Sequence, residues 1–355
     1  MNLNHYASFA PPQPAGFVSL AEVRRAGVTE SVHYGAVAVS NARGDILYAA
    51  GDPRRMTFAR SALKPFQAAP FFAADGMRRL GLSLSEAAVL CASHSGETRH
   101  AQAVASILSK ADAQPAQLRC GCHVPFKFSW FDTLPPAGEV WSELHHNCSG
   151  KHAGFLAAAR LQGAALDAYI DPLHPVQTAS RKALASCTGL GANDLIAGTD
   201  GCSAPTYALP LHSLAQGFAR LALGNTVPDE ASHEYKHGLD TAFKAMTTHP
   251  EMVSGEGRND LAYTLAGGGD WVCKIGAEGV QAMGIRSLGL GIAIKVADGN
   301  MRGLHPATVA VLEQLGLMND TRRTALAAWA NPALNSAAGL PVGDIIPAVQ
   351  LREMA

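Results

Sequence analysis

Strand patterns stand at the two ends of this chain, and helical patterns fill the stretch between them. Residues 17–23, 31–39 and 46–50 carry apolar, β-rich patterns, and Asn41-Ala42-Arg43-Gly44-Asp45 reads as a hairpin turn before the third of them. Residues 271–277, 279–284 and 290–296 read the same way near the other end, and Asp298-Gly299-Asn300 closes the last run. Between them the spacing of apolar positions predicts helices over 61–72, 85–91, 97–110, 149–161, 174–187, 211–223, about 233–247 and about 259–266. A short buried strand is expected at 195–199, a loop region over 117–140 and a last helix over 306–316. This order fits an α+β fold: one mixed, largely antiparallel sheet with helices and a helical lobe. Residues 1–15, with three prolines and no periodicity, are expected to form a flexible arm. Residues 16–355 are then expected to be a single unit. Its helical middle part (about 60–265) can form a lobe, with strands contributed by both chain ends. The best linker candidate is 224–232.

Composition excludes several classes. Hydrophobic residues make up 48% of the chain, enough for a sizeable core. Lys plus Arg is 28 against 29 for Asp plus Glu, a net charge of −1. Such a chain has no global pull on phosphate backbones or anionic lipid, so neither nucleic acid nor membrane is expected as a partner. A charged fraction of only 16% favours self-association. No apolar run approaches the roughly 18 to 20 residues that span a bilayer, and the first residues do not read as a secretory signal. Seven cysteines, spread along the chain, do not form a disulfide framework. A reducing, cytoplasmic setting is expected.

Four constellations carry chemistry. Ser61-Ala62-Leu63-Lys64 is an S-x-x-K pair at an expected helix start, which puts both side chains on one face. A lysine whose pKa is lowered there can take the serine proton; the alternative is a surface serine and lysine. Lys274-Ile275-Gly276 has the shape of a K-T-G strand element, or is a lysine guarding a strand edge. Its glycine would let a ligand come close. Cys91-Ala92-Ser93-His94-Ser95-Gly96-Glu97 places polar groups where an apolar run stops, or is a capped turn. A serine on an early helix, a serine on a later loop and a lysine on a late strand is the order of serine β-lactamases, although an S-D-N element is missing. Finally, Asn147-Cys148-Ser149-Gly150-Lys151-His152 and Thr199-Asp200-Gly201-Cys202-Ser203 can supply thiolate and nitrogen ligands to a soft divalent ion, or are buried cysteines near polar loops. Cys120-Gly121-Cys122-His123 is a rival ligand cluster of awkward geometry.

The set RSALKPFQA, CASHSGE, HHNCSGKHAGFL, GTDGCSAPTYALP and CKIGAEGV resembles the bacterial asparaginase II-type family, of the Rhizobium etli kind, from about Gly35 to about Val296. The resemblance implies a serine β-lactamase/glutaminase-like fold and a homodimer that hydrolyses L-asparagine to L-aspartate and ammonia. It implies two Ser–Lys tandems, Ser61 with Lys64 and Ser93 with Lys274. It also implies a Zn2+ (zinc) site on Cys148, Lys151 and Cys202, with His152 and Asp200 as its polar neighbours. Arg60 is then a candidate for the substrate carboxylate, or half of a structural ion pair. His94, Glu97, Asn147 and Gly201 are further candidates for substrate binding. Ser61 is the expected nucleophile, with Lys64 as its base and Ser93 and Lys274 relaying protons. Glutaminase, penicillin-recognising hydrolase, and a non-catalytic amino-acid-binding or zinc-sensing protein are the competing readings.

Overall fold

The computed structural model describes residues 15–228 and 233–354. The expected arm, but for Ala15, and the second half of the linker candidate lie outside those residues. In chain order the strands are β1 (Val18–Arg25), β2 (Val28–Asn41), β3 (Ile46–Ala50), β4 (Met56–Phe58), β5 (Ile196–Thr199) and β6 (Pro205–Pro210). They continue with β7 (Trp271–Gly276), β8 (Val280–Ile285), β9 (Leu290–Val296), β10 (Leu334–Asn335), β11 (Pro341–Pro347) and β12 (Arg352–Glu353).

The main sheet runs β10-β11-β1-β2-β9-β8-β7, with β3 between β2 and β12. Its paired strands are antiparallel. The long β2 is the seam. Its first half pairs with β1, from Val28 opposite Arg25 to Gly35 opposite Val18. Its second half pairs with β9, from Gly35 opposite Val296 to Asn41 opposite Leu290. The two ends of the chain therefore meet in one sheet, and the fold is α+β as the pattern predicts.

The alternation of side chains assigns the two faces. Trp271, Cys273 and Ile275 of β7 and Ile292 and Ile294 of β9 pack on one side, with Leu304, Val311 and Leu312 of the helix Met301–Gln314. Val272 of β7, Val280 and Ala282 of β8 and Ala293 of β9 pack on the other, against the helical part. That second face is built of small residues, so the helix Leu211–Leu223 lies directly on it. A Cβ on Gly291 would fall 1.7 Å from the carbonyl oxygen of Ala215. Only glycine fits there. Lys274, two residues from Val272, is directed by the same alternation toward the helices.

Three local expectations differ from the structure. Ile196–Thr199 is an exposed edge of the small sheet β4-β6-β5, not a buried strand, because it pairs only through β6. The last helix of the strand–helix pattern starts at Met301, not Pro306. The Asn300 side chain accepts from the Arg302 N–H and caps it, so the proline lies inside the helix. The segment after residue 316 adds a helix, Asp320–Ala330, and three short strands that have no strong periodic signal.

Candidate active site

Ser61 sits on a 3-10 turn, Arg60–Leu63, that runs into the helix Lys64–Ala73. Arg60 takes a left-handed backbone, φ 52°, immediately before it. A non-glycine residue held this way costs about 1–3 kcal/mol, which the surroundings must offset. The end of β7 lies against this turn: a Cβ on Gly276 would meet the Ala59 carbonyl oxygen at 2.4 Å. The glycine of Lys274-Ile275-Gly276 thus admits the chain's own backbone, and it carries Lys274 to the start of the serine-bearing helix.

Ser93 occupies the centre. Its Oγ is 3.0 Å from Lys64 Nζ and 2.9 Å from Lys274 Nζ. Lys64 also donates to the carbonyls of Ala92 and Asn147, and Lys274 to that of Ile275. The partners of Lys64 do not include Ser61. Both lysines are buried, 1% and 0% exposed, which removes the surface-lysine and strand-edge readings of the two motifs. Asp260 lies behind Lys274, its Oδ2 3.5 Å from Nζ. That carboxylate is itself buried and accepts from Ile275 N, Gln281 Nε2 and Asn259 Nδ2. Burial pushes Lys274 down to about 7; Asp260 holds it up, while Lys64 and Arg258 push it further down. It is therefore an amine that exchanges its proton near neutrality.

The second constellation lies beside the first. Cys148 and Lys151 begin the buried helix Ser149–Gln162, and Cys202 follows Asp200 on the loop after β5. A Cβ on Gly150 would fall 2.1 Å from the Val89 carbonyl oxygen, so the glycine lets this helix press against Leu84–Leu90. Lys151 Nζ is 3.0 Å from Cys202 Sγ. The hydrogen bond with Cys202, helped by Lys64 and Lys151 against burial, holds the Cys148 thiol well below its ordinary range. Burial opposes the charge on Lys151, but Cys202, Cys148 and Asp200 outweigh it and raise its pKa. His152 Nδ1 contacts the Tyr169 hydroxyl at 2.7 Å; burial pushes the imidazole down to about 4, while its hydrogen bond with Cys202 works against that shift. Counting only His, Cys, Asp and Glu, no group of three among the described residues is placed to hold a metal. Cys148 and Cys202 make a set of three only with Lys151. Two sulfurs and a nitrogen are a donor set that fits a zinc ion.

Both constellations open onto one cavity of about 450 Å³, lined by Arg60, Ser61, Ser93, Asn147, Cys148, Asp200, Gly201 and Cys202. Arg60 donates from Nε to Asp200 Oδ1 at 2.7 Å, which joins the serine turn to the cysteine loop. His94 stands behind the cavity wall. It is fully buried, its Nε2 2.9 Å from Ser149 Oγ, and its Nδ1 accepts from the Gly96 N–H. Burial holds it well below the ordinary imidazole range. Glu97 caps the helix Thr98–Lys110 and accepts from Glu256 N–H, also outside the cavity. Cys120 and Cys122 bond to separate carbonyls, those of Glu143 and Trp141, and only His123 of that cluster reaches the cavity.

Sequence reasoning missed Phe126 and Trp130, from a short helix inside the expected loop region, together with Arg258 and Asp260. An arginine in Gly-Glu-Gly-Arg-Asn-Asp reads as solvent-exposed, and no motif marks it. No helix among the described residues is long and apolar enough to cross a membrane. A comparison with curated proteins gave no match. The family model L-asparaginase II matches residues 21–347, from β1 through β11 and past both ends of the motif set. The chain therefore belongs to the L-asparaginase II family and is an amidohydrolase that acts on L-asparagine.

Proposed function

We propose that this chain hydrolyses L-asparagine to L-aspartate and ammonia through an acyl-enzyme on serine. The observation that carries the reading is the buried line Lys64–Ser93–Lys274 at a cavity that Ser61 also borders. Ser61 is the more accessible hydroxyl, one helical turn from Lys64. Its Oγ attacks the side-chain amide carbon, and its proton passes by way of Lys64 and Ser93 to neutral Lys274. Backbone N–H groups at the Arg60–Leu63 turn stabilise the oxyanion. The C–N bond breaks as the relay returns a proton to the leaving ammonia, and water then hydrolyses the β-aspartyl ester. The same order of serines and lysines supports a likeness to serine β-lactamases.

Cys148, Lys151 and Cys202 would hold a zinc ion, which supplies a fixed positive charge beside the substrate when bound. As a ligand Lys151 would have to be neutral, against the pull of Cys202, Cys148 and Asp200, which favour its charged form.

A second reading makes Ser93 the nucleophile and Lys274 its base. It is favoured because both lysines contact Ser93 Oγ and neither contacts Ser61. Ammonia release from L-asparagine and L-glutamine, with Ser61→Ala and Ser93→Ala, tests both. The first reading expects no acylated peptide from Ser61→Ala on quenching and mass analysis. An ester on Ser93 in that variant, with turnover kept, overturns it for the second. Wild-type protein that releases ammonia from neither amide overturns both.

A further inference from the structure

Arg258 directly precedes the helix Asn259–Gly267 and borders the cavity. Only 3% of it is exposed. Its Nη1 donates to the carbonyl oxygen of Ser93 at 2.8 Å, and its Nε is buried without a partner. The guanidinium lies 4.5 Å from the ring centroid of Trp130 and 5.9 Å from that of Phe126, so aromatic faces replace water around it. No carboxylate among the described residues forms an ion pair with it. Asp260 is taken by Lys274 and by amide donors, and the other cavity arginine, Arg60, is taken by Asp200. A buried guanidinium without an anion is costly, and a carboxylate satisfies its planar fork with two parallel hydrogen bonds. The backbone that Arg258 holds belongs to Ser93, and both residues line the cavity that Ser61 borders, so an anion on the fork shares that cavity with the reacting hydroxyls.

We infer that Arg258, not Arg60, anchors the α-carboxylate of the amide substrate and so restricts the site to amino acids with a free α-carboxylate. This rests on the L-asparagine reading above and adds the residue that recognises the substrate's invariant end. The test compares L-asparagine with L-aspartic diamide, which lacks only that carboxylate. Wild-type protein is expected to prefer L-asparagine by on the order of a hundredfold in kcat/KM, because a site built for a charged partner rejects an analogue lacking it. In Arg258→Gln the preference falls to near parity through a rise in KM for L-asparagine, while turnover of the diamide falls by a clearly smaller factor, the part due to the lost hydrogen bond to the Ser93 carbonyl. Arg258→Lys keeps the charge without the fork and recovers part of the preference; it also carries the comparison if Arg258→Gln does not fold. Equal loss on both substrates, as a merely structural role gives, overturns the inference, and so does a preference that survives in Arg258→Gln but is lost in Arg60→Gln. If wild-type protein hydrolyses neither amide, the proposed function fails and calorimetry decides the anchor alone. L-aspartate binding more tightly than L-isoasparagine, with the difference lost in Arg258→Gln, then supports it, and equal or absent binding overturns it.

Discussion

Asp260→Asn tests whether Lys274 is the group that sets the pH dependence of the reaction. The carboxylate is 3.5 Å from Lys274 Nζ, and neither side chain is more than 1% exposed. At an effective dielectric of about 20, a unit pair at that distance interacts by roughly 5 kcal/mol. At 1.36 kcal/mol per pH unit, that is an upper bound of about 3.5 units, and relaxation reduces it to about 1–3. Burial already holds Lys274 at about 7, and Asp260 works against that shift. Removing the negative charge therefore lets the amine lose its proton at lower pH. If neutral Lys274 accepts the serine proton, kcat/KM rises with pH through a midpoint near 7 in the wild type. In Asp260→Asn that midpoint moves to lower pH. Stability has the matching sign. A lysine depressed in the folded state is charged at a penalty below pH 7, and the penalty disappears as pH rises toward the ordinary lysine value. The asparagine still offers an oxygen to Ile275 N–H, but its amide group faces the donors of Gln281 and Asn259. That mismatch costs about 1–3 kcal/mol, so thermal melts accompany the kinetics. A folded variant whose midpoint stays in place, or moves upward, refutes the assignment of that limb to Lys274.

Two further outcomes follow from the same geometry. Gly276→Ala puts a methyl 2.4 Å from the Ala59 carbonyl oxygen, so β7 and the Ser61 turn must part; denaturant melts are expected to show about 1–3 kcal/mol of destabilisation, and kcat to drop by on the order of a hundredfold. Dialysis against a chelator is expected to remove zinc measurable by atomic absorption and to raise KM for L-asparagine more than it lowers kcat, and Cys148→Ser is expected to purify without the metal. Unchanged metal content in that variant contradicts the assigned ligands.

The topology was legible because the strand patterns at each end differ in period from the helices between them. β2 and β9 pair residue for residue over 35–41 and 290–296, as two such ends require. The tail after residue 316 was not legible, since two of its three strands are two residues long and β11 begins and ends in proline. Pro306 misled for a definite reason. A proline near a helix start satisfies the rule for a first position, yet Asn300 six residues earlier offers the stronger cap.

The site divides along a different line. Ser61, Lys64, Ser93, Lys274, Cys148 and Cys202 stand out in the sequence because reactive side chains occur at helical spacing or beside glycine in short motifs, whereas Lys151 rather than His152 as the nitrogen ligand is what the family resemblance implies. Arg258 and Asp260 do not stand out, because their work depends on what the fold removes from them: water, and in the case of Arg258 a carboxylate within ion-pair distance among the described residues. A charged residue in a glycine-rich loop has no sequence mark of burial. The same segment, Arg258-Asn259-Asp260, sends its first residue to the cavity and Ser93 and its third to Lys274. On the proposed reading, the two ends of the reaction, substrate charge and proton acceptor, are held by one helix start. Closure of the sheet brings that helix start against β7, since Asp260 bonds the Ile275 N–H. The lysine's proton and the arginine's anion consequently depend on the same backbone, and a change that loosens β7 is expected to disturb both together.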